Sequence, residues 1–571
     1  MVVDPRRKDA VGLPKEGTEP EDATPHSDEA HSAFTPPTGV PMPPPPPEDE
    51  HPTSEFALPE GFRPRPHEQQ GSAFRSPADQ RASDLGDFTP ATGIPLVQLG
   101  KRNAPWQDRM RSMVRLPLAE RPAPPERPAR TEDETGPPVP RVLDLTLRIG
   151  ELLLAGGEGA EDVEAAMFGV AHAYGLDRCE PTVTFTLISV THQPSLVDDP
   201  VTLSRTVRRR GTDYTRLAAV YRLVADITSE DETAVTLEEA YRRLAGIRRN
   251  RHPYSKGALT LASGVLAGAA STLVGGGPTV FVLAALGAML GDRLAWFGSS
   301  RGLPEFYQFV AAAMPPAAMG VAVHLFNHHP WLDGARASAV VTGGLFALIP
   351  GRALVAAVHD GLTGYYITAS ARLLEVMYLI VGIVCGVLMI LYLGDLVLGD
   401  DFVPDEQITV EEPGVQLMAA MLLALAFCVL LQQERSTVVW ATLNGGVAWL
   451  VFGVLAHSAD LDPVFATVAA AGLVGLFGQL LSRYQFVSAL PYVTAAIGPL
   501  LPGSATYYGL LNIAQGSVNG GFQFLSRAAA LALAIAIGVN LGAELARLFL
   551  HAPGAETPLP GRRAAKRTRG F

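Results

Sequence analysis

The stretch Leu348-Ile349-Pro350-Gly351 is followed, nine residues after its glycine, by Asp360, and Leu500-Leu501-Pro502-Gly503 is followed at the same distance by Asn512. In both copies a glycine comes four residues later, Gly364 and Gly516, and a Ser-Ala-Arg (Ser370 to Arg372) or a Ser-Arg (Ser526-Arg527) then opens a long apolar helix. The copies are offset by 152 residues at the proline and by 155 to 156 at the arginine and serine. Each lies in an array of apolar segments. With five segments per array, the odd number turns the second copy upside down in a bilayer, an arrangement on which many secondary transporters are built.

Working outward, the 571 residues divide into a polar part and an apolar part that begins near residue 257. The formal charge of −12 is concentrated at the start, where residues 1–60 carry 13 acidic residues against four basic ones, a balance that argues against nucleic acid as a partner. Three cysteines, Cys179, Cys385 and Cys428, show no paired spacing, so neither a disulfide framework nor a metal site is expected. No cofactor motif is present. Residues 1–140 hold 28 of the 47 prolines and no sustained apolar period, which predicts a disordered acidic tail with local polyproline II. Within it, Phe34 to Met42 recurs as Phe88 to Leu96, a candidate duplicated docking motif for a partner. The first residues lack the apolar core of a secretory signal, so the tail is expected to remain in the cytoplasm.

Residues 141–250 read as a small α+β domain. Leu143 to Leu154 is apolar, and Val163, Ala166, Met167, Val170, Ala171 and Tyr174 recur at helical spacing behind Glu161, Asp162 and Glu164, acids that the helix dipole favours in a first turn. On that pattern His172 falls on the far side, in solvent. Pro181 to Thr191 reads as one strand, with Val201 to Val207 as its partner and helices at 214–226 and 237–248 after it. His172, His192, Ser189, Ser195, Asp198, Glu161 and Glu164 are the groups from which catalysis would be drawn, but none stands in a nucleophile-elbow or HExxH context, and no enzyme is expected.

Arg248, Arg249, Arg251 and Lys256 immediately precede the first apolar segment and mark its start as cytoplasmic. Ten spans follow, at 257–274, 278–298, 304–325, 336–358, 368–394, 414–433, 436–456, 462–481, 485–501 and 524–550. The turns at 274–278, 394–414 and 457–462 contain no Lys or Arg, whereas Arg293, Arg301, Arg435, Arg483 and the tail Arg562 to Arg569 share the other side; Arg336 and Arg527, each at the edge of a span, are the exceptions. The expected organisation is therefore a first five-helix repeat at 251–400, an acidic external loop at 401–413, a second repeat at 414–550 and a basic cytoplasmic tail at 551–571, with both termini inside. Proline near the middle of an apolar segment breaks the helix ladder, and irregular backbone at membrane depth persists only where protein or a water-filled cavity covers it. The two Pro-Gly breaks are accordingly the candidate site.

Residues 141–550, about 70% of the chain, resemble the threonine/serine exporter family. The resemblance rests on Gly159-Ala160-Glu161-Asp162-Val163-Glu164, the 181–191 strand, the Gly-rich first spans and the Pro-Gly breaks. It implies a mainly helical inner-membrane protein that exports small hydroxylated amino acids at the expense of the proton motive force. It also implies a cytoplasmic domain for which hydrolase-like similarity has been suggested. The family also occurs as two shorter chains, in keeping with a five-plus-five division, while the Pro-rich tail departs from its shorter members.

A zwitterionic substrate needs donors for its carboxylate and acceptors for its ammonium. Asp360 and Asn512 suit the second task, Gly351 and Gly503 supply open backbone, and Thr363 and Asn444 are candidate hydroxyl partners. Glu375, on the fifth span, is the candidate proton-coupling group, because an acid at mid-bilayer is kept at a penalty of about 2.5–3.5 kcal/mol. An interfacial pair with Arg372 is its alternative role, and Glu544 is a weaker candidate. Substrate, protons and lipid are the partners expected, with a homo-oligomer open; a membrane-anchored hydrolase acting through 141–250 and a passive channel are the rival classes. The charge bias makes a topological prediction: Asp401→Cys should react with an impermeant thiol reagent added to intact cells, and Arg301→Cys should not. Labelling of the second alone would remove the ten-span reading.

Overall fold

The computed structural model describes residues 106–114 and 139–549, apart from 196, 208–210, 212, 230–234, 250–252, 327–328, 331, 333, 399–411 and 486. Residues 401–411 of the expected external loop, the expected basic tail and residues 1–105 lie outside the described residues.

The first element is α1 (Trp106–Val114), inside the stretch expected to have no core. Trp106 and Met110, one turn apart, are both buried: Met110 packs on Gly169, and the Trp106 ring meets that of Tyr221 at 5.6 Å. Two apolar anchors at helical spacing are enough to order nine residues against a preformed surface, and a proline-rich background hides so short a pattern.

The domain behind it consists of α2 (Val139–Ala155), α3 (Ala160–Ala173), β1 (Cys179–Val183), β2 (Leu187–His192), β3 (Val201–Thr206), α4 (Tyr214–Thr228) and α5 (Leu237–Arg249). The stretch read as one strand is a hairpin. Thr184 N–H donates to the Leu187 carbonyl at 2.8 Å, folding the chain so that Cys179 faces His192, and β2 then pairs with β3 from Leu187–Thr206 to His192–Val201. Folding back brings Cys179, Val183, Ile188, Val190 and His192 into the core. α3 is covered nearly all round, with α1 lying on the side expected to face water. His172, one turn beyond Gly169, is therefore buried and stacked on Phe168, not solvated.

The membrane part begins with α6 (Lys256–Leu273), α7 (Pro278–Ser300) and α8 (Glu305–Leu325). α9 (Ala337–Phe346), α10 (Gly351–Leu362) and α11 (Tyr366–Leu398) follow. A second series comprises α12 (Pro413–Leu430), α13 (Arg435–Gly453), α14 (Pro463–Gln485), α15 (Leu490–Ala496), α16 (Gly503–Ala514) and α17 (Val518–Phe549). Seven of these helices are long and apolar enough to cross a membrane, among the described residues. Their outer faces carry large exposed side chains such as Leu290, Trp296, Leu374 and Tyr378, as contact with lipid requires. α6 is shorter and richer in Gly, Ser and Thr because it is enclosed by α7, α9 and α12, where close helix approach matters more than hydropathy.

The spans expected at 336–358 and 485–501 are not continuous helices. α9 stops at Phe346 and α10 starts at Gly351; α15 stops at Ala496, a short turn Gly498–Leu500 follows, and α16 starts at Gly503. The two interruptions have the same geometry. Pro350 (φ −78°, ψ 48°) and Pro502 (φ −79°, ψ 55°) each centre a tight turn in which the following glycine N–H donates to the carbonyl before the proline, at 2.8 Å in both. Each resulting helix also ends alike. Gly364 (φ +96°) and Gly516 (φ +79°) take the left-handed cap position, while Tyr365 N–H reaches back to the Asp360 carbonyl and Ser517 N–H to that of Asn512, both at 2.8 Å. The repeated Asp/Asn-then-Gly spacing is thus the signature of a left-handed helix cap.

The breaks meet each other. A side chain on Gly351 would run into Leu501, and one on Gly503 would run into Phe346 and Ile349. Gly351→Val and Gly503→Val should therefore each lower stability by about 1–3 kcal/mol through overpacking, read as a lower unfolding temperature of the detergent-solubilised protein. An unchanged temperature for both would show that the crossing is loose.

Candidate functional site

The α2–α3 connection Gly156-Gly157-Glu158-Gly159 turns tightly at Gly157 (φ +91°) and places Glu158 at the seam between the soluble domain and the membrane helices. Glu158 is only 5% exposed. Ser488, between α14 and α15, donates its hydroxyl to the carboxylate at 3.0–3.1 Å, and the Arg372 guanidinium donates to the Glu158 carbonyl at 2.9 Å. Arg372 also pairs with Asp360 at 3.2 Å, and Asp360 accepts the Ala160 N–H at 3.1 Å. The start of α3, the end of α10 and the start of α11 are thereby tied together. Glu164, one turn along α3, accepts from Val183 N–H at 2.9 Å and from the Tyr365 hydroxyl at 2.5 Å.

The second series is held as firmly. Tyr214 and Thr215, opening α4, donate their N–H groups to the carbonyls of Leu431 and Gln432 at 3.1 and 3.2 Å, and Arg222 grips Glu434 through both guanidinium nitrogens at 2.5 and 3.0 Å. α1 bridges the remaining edge: Asp108 accepts from Arg483 of α14 at 2.5 Å and lies 3.9 Å from Arg547 of α17, while Arg111 pairs with Asp162 of α3.

These contacts enclose a cavity of about 130 Å³, lined by residues of α1, α4, α10, α14, α15 and α17 together with the 157–162 segment. Into it face Glu158, Arg111, Tyr221, Ser488, His359 and Asn540, the last two joined at 2.5 Å between His359 Nδ1 and Asn540 Oδ1. Burial pushes the Glu158 carboxyl above the usual range, against the hydrogen bonds from Ser488 and Tyr221. Burial and the neighbouring Glu158 push the Tyr221 phenol well up, and burial with Arg547 nearby brings the Arg111 guanidinium down. Such a charged chamber can hold a small polar molecule by its ends.

None of the sequence-derived candidates lines this chamber, and they do not form one constellation. Asp360 is fully buried and already engaged. Thr363 caps α10 through the His359 carbonyl at 3.0 Å. Asn512 donates to the Tyr508 carbonyl at 2.8 Å, and Asn444, buried on α13, donates to the Val474 carbonyl at 3.3 Å. Glu375 is half-buried on α11, and Glu544 pairs with Arg547 and is largely exposed. Glu161 is buried and lines a separate recess with Arg111 and Thr363. Of the groups considered for catalysis, His192 meets only Cys179, at 3.6 Å inside the core, and Ser195 accepts from its neighbour Val197. Glu158, Arg111, Ser488 and His359 went unread. A single acid inside a Gly-Gly-Glu-Gly run was the one local signal.

Residues 144–394 match a family model described as "Putative threonine/serine exporter", and residues 416–544 match one described as "Threonine/Serine exporter, ThrE". The chain is 34% identical over 422 residues to a Mycobacterium tuberculosis protein named "Probable threonine/serine exporter", a match spanning 72% of this chain and 78% of that one. It belongs to the threonine/serine exporter family. A Corynebacterium glutamicum protein named "Threonine/serine exporter" is 29% identical over 459 residues, covering 78% of this chain and 90% of its own. No solved structure matches. The two family models part between residues 394 and 416, in line with the two-half form of the family, and seven apolar helices make this member a multi-pass membrane protein. α1 lies outside both matched segments.

The buried ion pair in this exporter-family fold makes a thermodynamic prediction. Asp360→Asn leaves Arg372 without its buried counter-charge and should destabilise by about 3–5 kcal/mol. Adding Arg372→Gln should recover part of that loss in a double-mutant cycle, read by chemical unfolding in detergent. Strict additivity would mean that the pair is not coupled.

Proposed function

We propose that the chain is a secondary transporter that exports small hydroxylated amino acids, threonine and serine, across the inner membrane by proton antiport. An amino acid exporter is what the named relatives support. The observation that carries the transporter reading is the pair of geometrically matched Pro-Gly breaks that cross inside the helix bundle, since broken helices at a repeat interface are how such proteins build a site at membrane depth.

In this reading, α6 to α11 and α12 to α17 are two inverted five-span repeats in which the fourth span of each is the broken one. The soluble domain and both termini face the cytoplasm, in keeping with the basic bias of the loops. Gly351 and Gly503 let the breaks approach and slide. Asp360 and Asn512 end the two half-helices, and Asp360 takes the substrate ammonium when the break moves and Arg372 releases it. Thr363 and Asn444 meet the substrate hydroxyl; the buried Oδ1 of Asn444 finds no donor among the described residues. Glu375 carries the proton, and Glu161 and Glu164 anchor the domain to the moving end of α10.

Cells loaded with threonine-containing dipeptide test the exporter reading: cells carrying the gene should release labelled threonine several-fold faster than cells without it, in a manner that collapses when the proton gradient is dissipated. Glu375→Gln should keep exchange of labelled for unlabelled threonine while abolishing net export. Release unaffected by the gradient would point to a passive channel instead, and no difference between the two strains would overturn the exporter reading.

A further inference from the structure

The lining of the seam cavity is balanced in charge yet unbalanced in pairing. Three carboxyl groups (Asp108, Glu158, Asp162) and three guanidinium groups (Arg111, Arg483, Arg547) face it. Asp108 and Asp162 are each matched to arginines, as described above. Glu158, although buried, has only hydroxyl partners, Ser488 and Tyr221, and forms no ion pair among the described residues. Arg111 shows the complementary deficit. Asp162 holds its Nη2, but Nε and Nη1 are buried without a hydrogen-bond acceptor among the described residues, and Nη1 lies 3.9 Å from Asp108, too far for a hydrogen bond.

A buried acid without a cation and a buried guanidinium with unused N–H groups are each unfavourable by themselves. Across one cavity they are the two halves of a receptor. Arg111 is among the charges that favour the ionised form of Glu158, so they sense each other without closing into a salt bridge. The cavity that both groups line, about 130 Å³ in all, is roughly ten times the ~10–15 Å³ that a single water needs. A ligand that fills it must bring a cation to one end and an anion to the other, and the site's own charge balance favours a ligand with no net charge.

We propose that this cavity is a binding site for the zwitterionic head of an α-amino acid, with the Glu158 carboxylate receiving the ammonium and Arg111 Nε–H and Nη1–H donating to the carboxylate. The hydroxyls of Ser488 and Tyr221 and the amide of Asn540 remain to meet a small polar side chain. The soluble domain and α1 then supply the substrate's charge-reading groups, while the membrane helices supply His359, Ser488 and Asn540. The choice of an amino acid as ligand rests on the exporter reading above; the cavity is a station separate from Asp360 at the first Pro-Gly break, and its location does not depend on the breaks.

Binding of labelled L-threonine to the detergent-purified full chain tests this, by scintillation proximity. The wild-type protein should bind threonine and should bind threoninol, which lacks the carboxylate, and 2,3-dihydroxybutyrate, which lacks the ammonium, at least about 100-fold more weakly. Glu158→Gln and Arg111→Gln should each weaken threonine binding by about tenfold or more. The losses should be matched in kind: Glu158→Gln should narrow the gap between threonine and dihydroxybutyrate, and Arg111→Gln the gap between threonine and threoninol. Where a neutral variant does not fold, Glu158→Asp or Arg111→Lys takes its place, with a loss of about threefold or more expected from the shortened or unforked group. Wild-type affinity in the variants at both positions overturns the cavity assignment and leaves the exporter reading intact. Absence of threonine and serine binding by the wild-type chain, together with absent efflux, overturns the exporter reading itself.

Discussion

One buried cation organises the junction on which the rest of this protein depends. Arg372, 5% exposed at the start of α11, holds the Asp360 carboxylate and the Glu158 carbonyl, and Asp360 in turn caps the first N–H of α3. A carboxylate and a guanidinium taken out of water together are tolerable only when every remaining lone pair and proton is occupied. Here two backbone groups from a domain two hundred residues away in sequence fill part of that need, the Ala160 N–H on Asp360 Oδ1 and the Glu158 carbonyl on Arg372 Nη2. The α+β domain is consequently built into the membrane part: remove it, and the ion pair at the end of the first broken helix loses its cover.

From that junction the geometry propagates to both halves. α10 runs from the Pro350 break to Asp360, so whatever moves the break moves the anchored end, and the break itself rests against its counterpart at Pro502 through Gly351, Leu501, Gly503 and Phe346. α14 and α17 of the second series are packed at backbone distance, Gly542 against Gly472 and Gly475 against Val539, and α8 and α11 of the first series meet the same way, Gly386 against Val310. Small residues there allow contact that lipid cannot drive by the hydrophobic effect. α1 spans the remaining gap, with Asp108 touching both α14 and α17. The soluble domain, the two broken helices and the α14–α17 pair thus surround one chamber.

Much of this was legible along the chain. The two-part composition, the α+β character of 141–250 and the repeated break all follow from local pattern, because hydropathy, proline and the Gly-at-plus-four cap act over a few residues. The misreadings have equally local causes. Pro181 to Thr191 is uniformly strand-forming, and nothing in propensity announces a turn at Thr184 whose role is to double the sheet. His172 looked solvated because its burial depends on α1, whose own signal is two apolar residues in a proline-rich stretch. The span at 336–358 was read through Pro350, and that at 485–501 stopped before Pro502 and left out the half-helix Gly503–Ala514 beyond it.

The sequence by itself determined the class of molecule and the places where proline and glycine break its helices, since these depend on residue type at short range. Only the tertiary structure decided which charges meet. Asp360 finds Arg372, and Glu158 is left with hydroxyls opposite the unused N–H groups of Arg111, because residues far apart in the chain are brought to one seam where water is excluded. Along the chain an isolated glutamate and an isolated arginine look like any solvated pair. Their burial without each other makes a site of them.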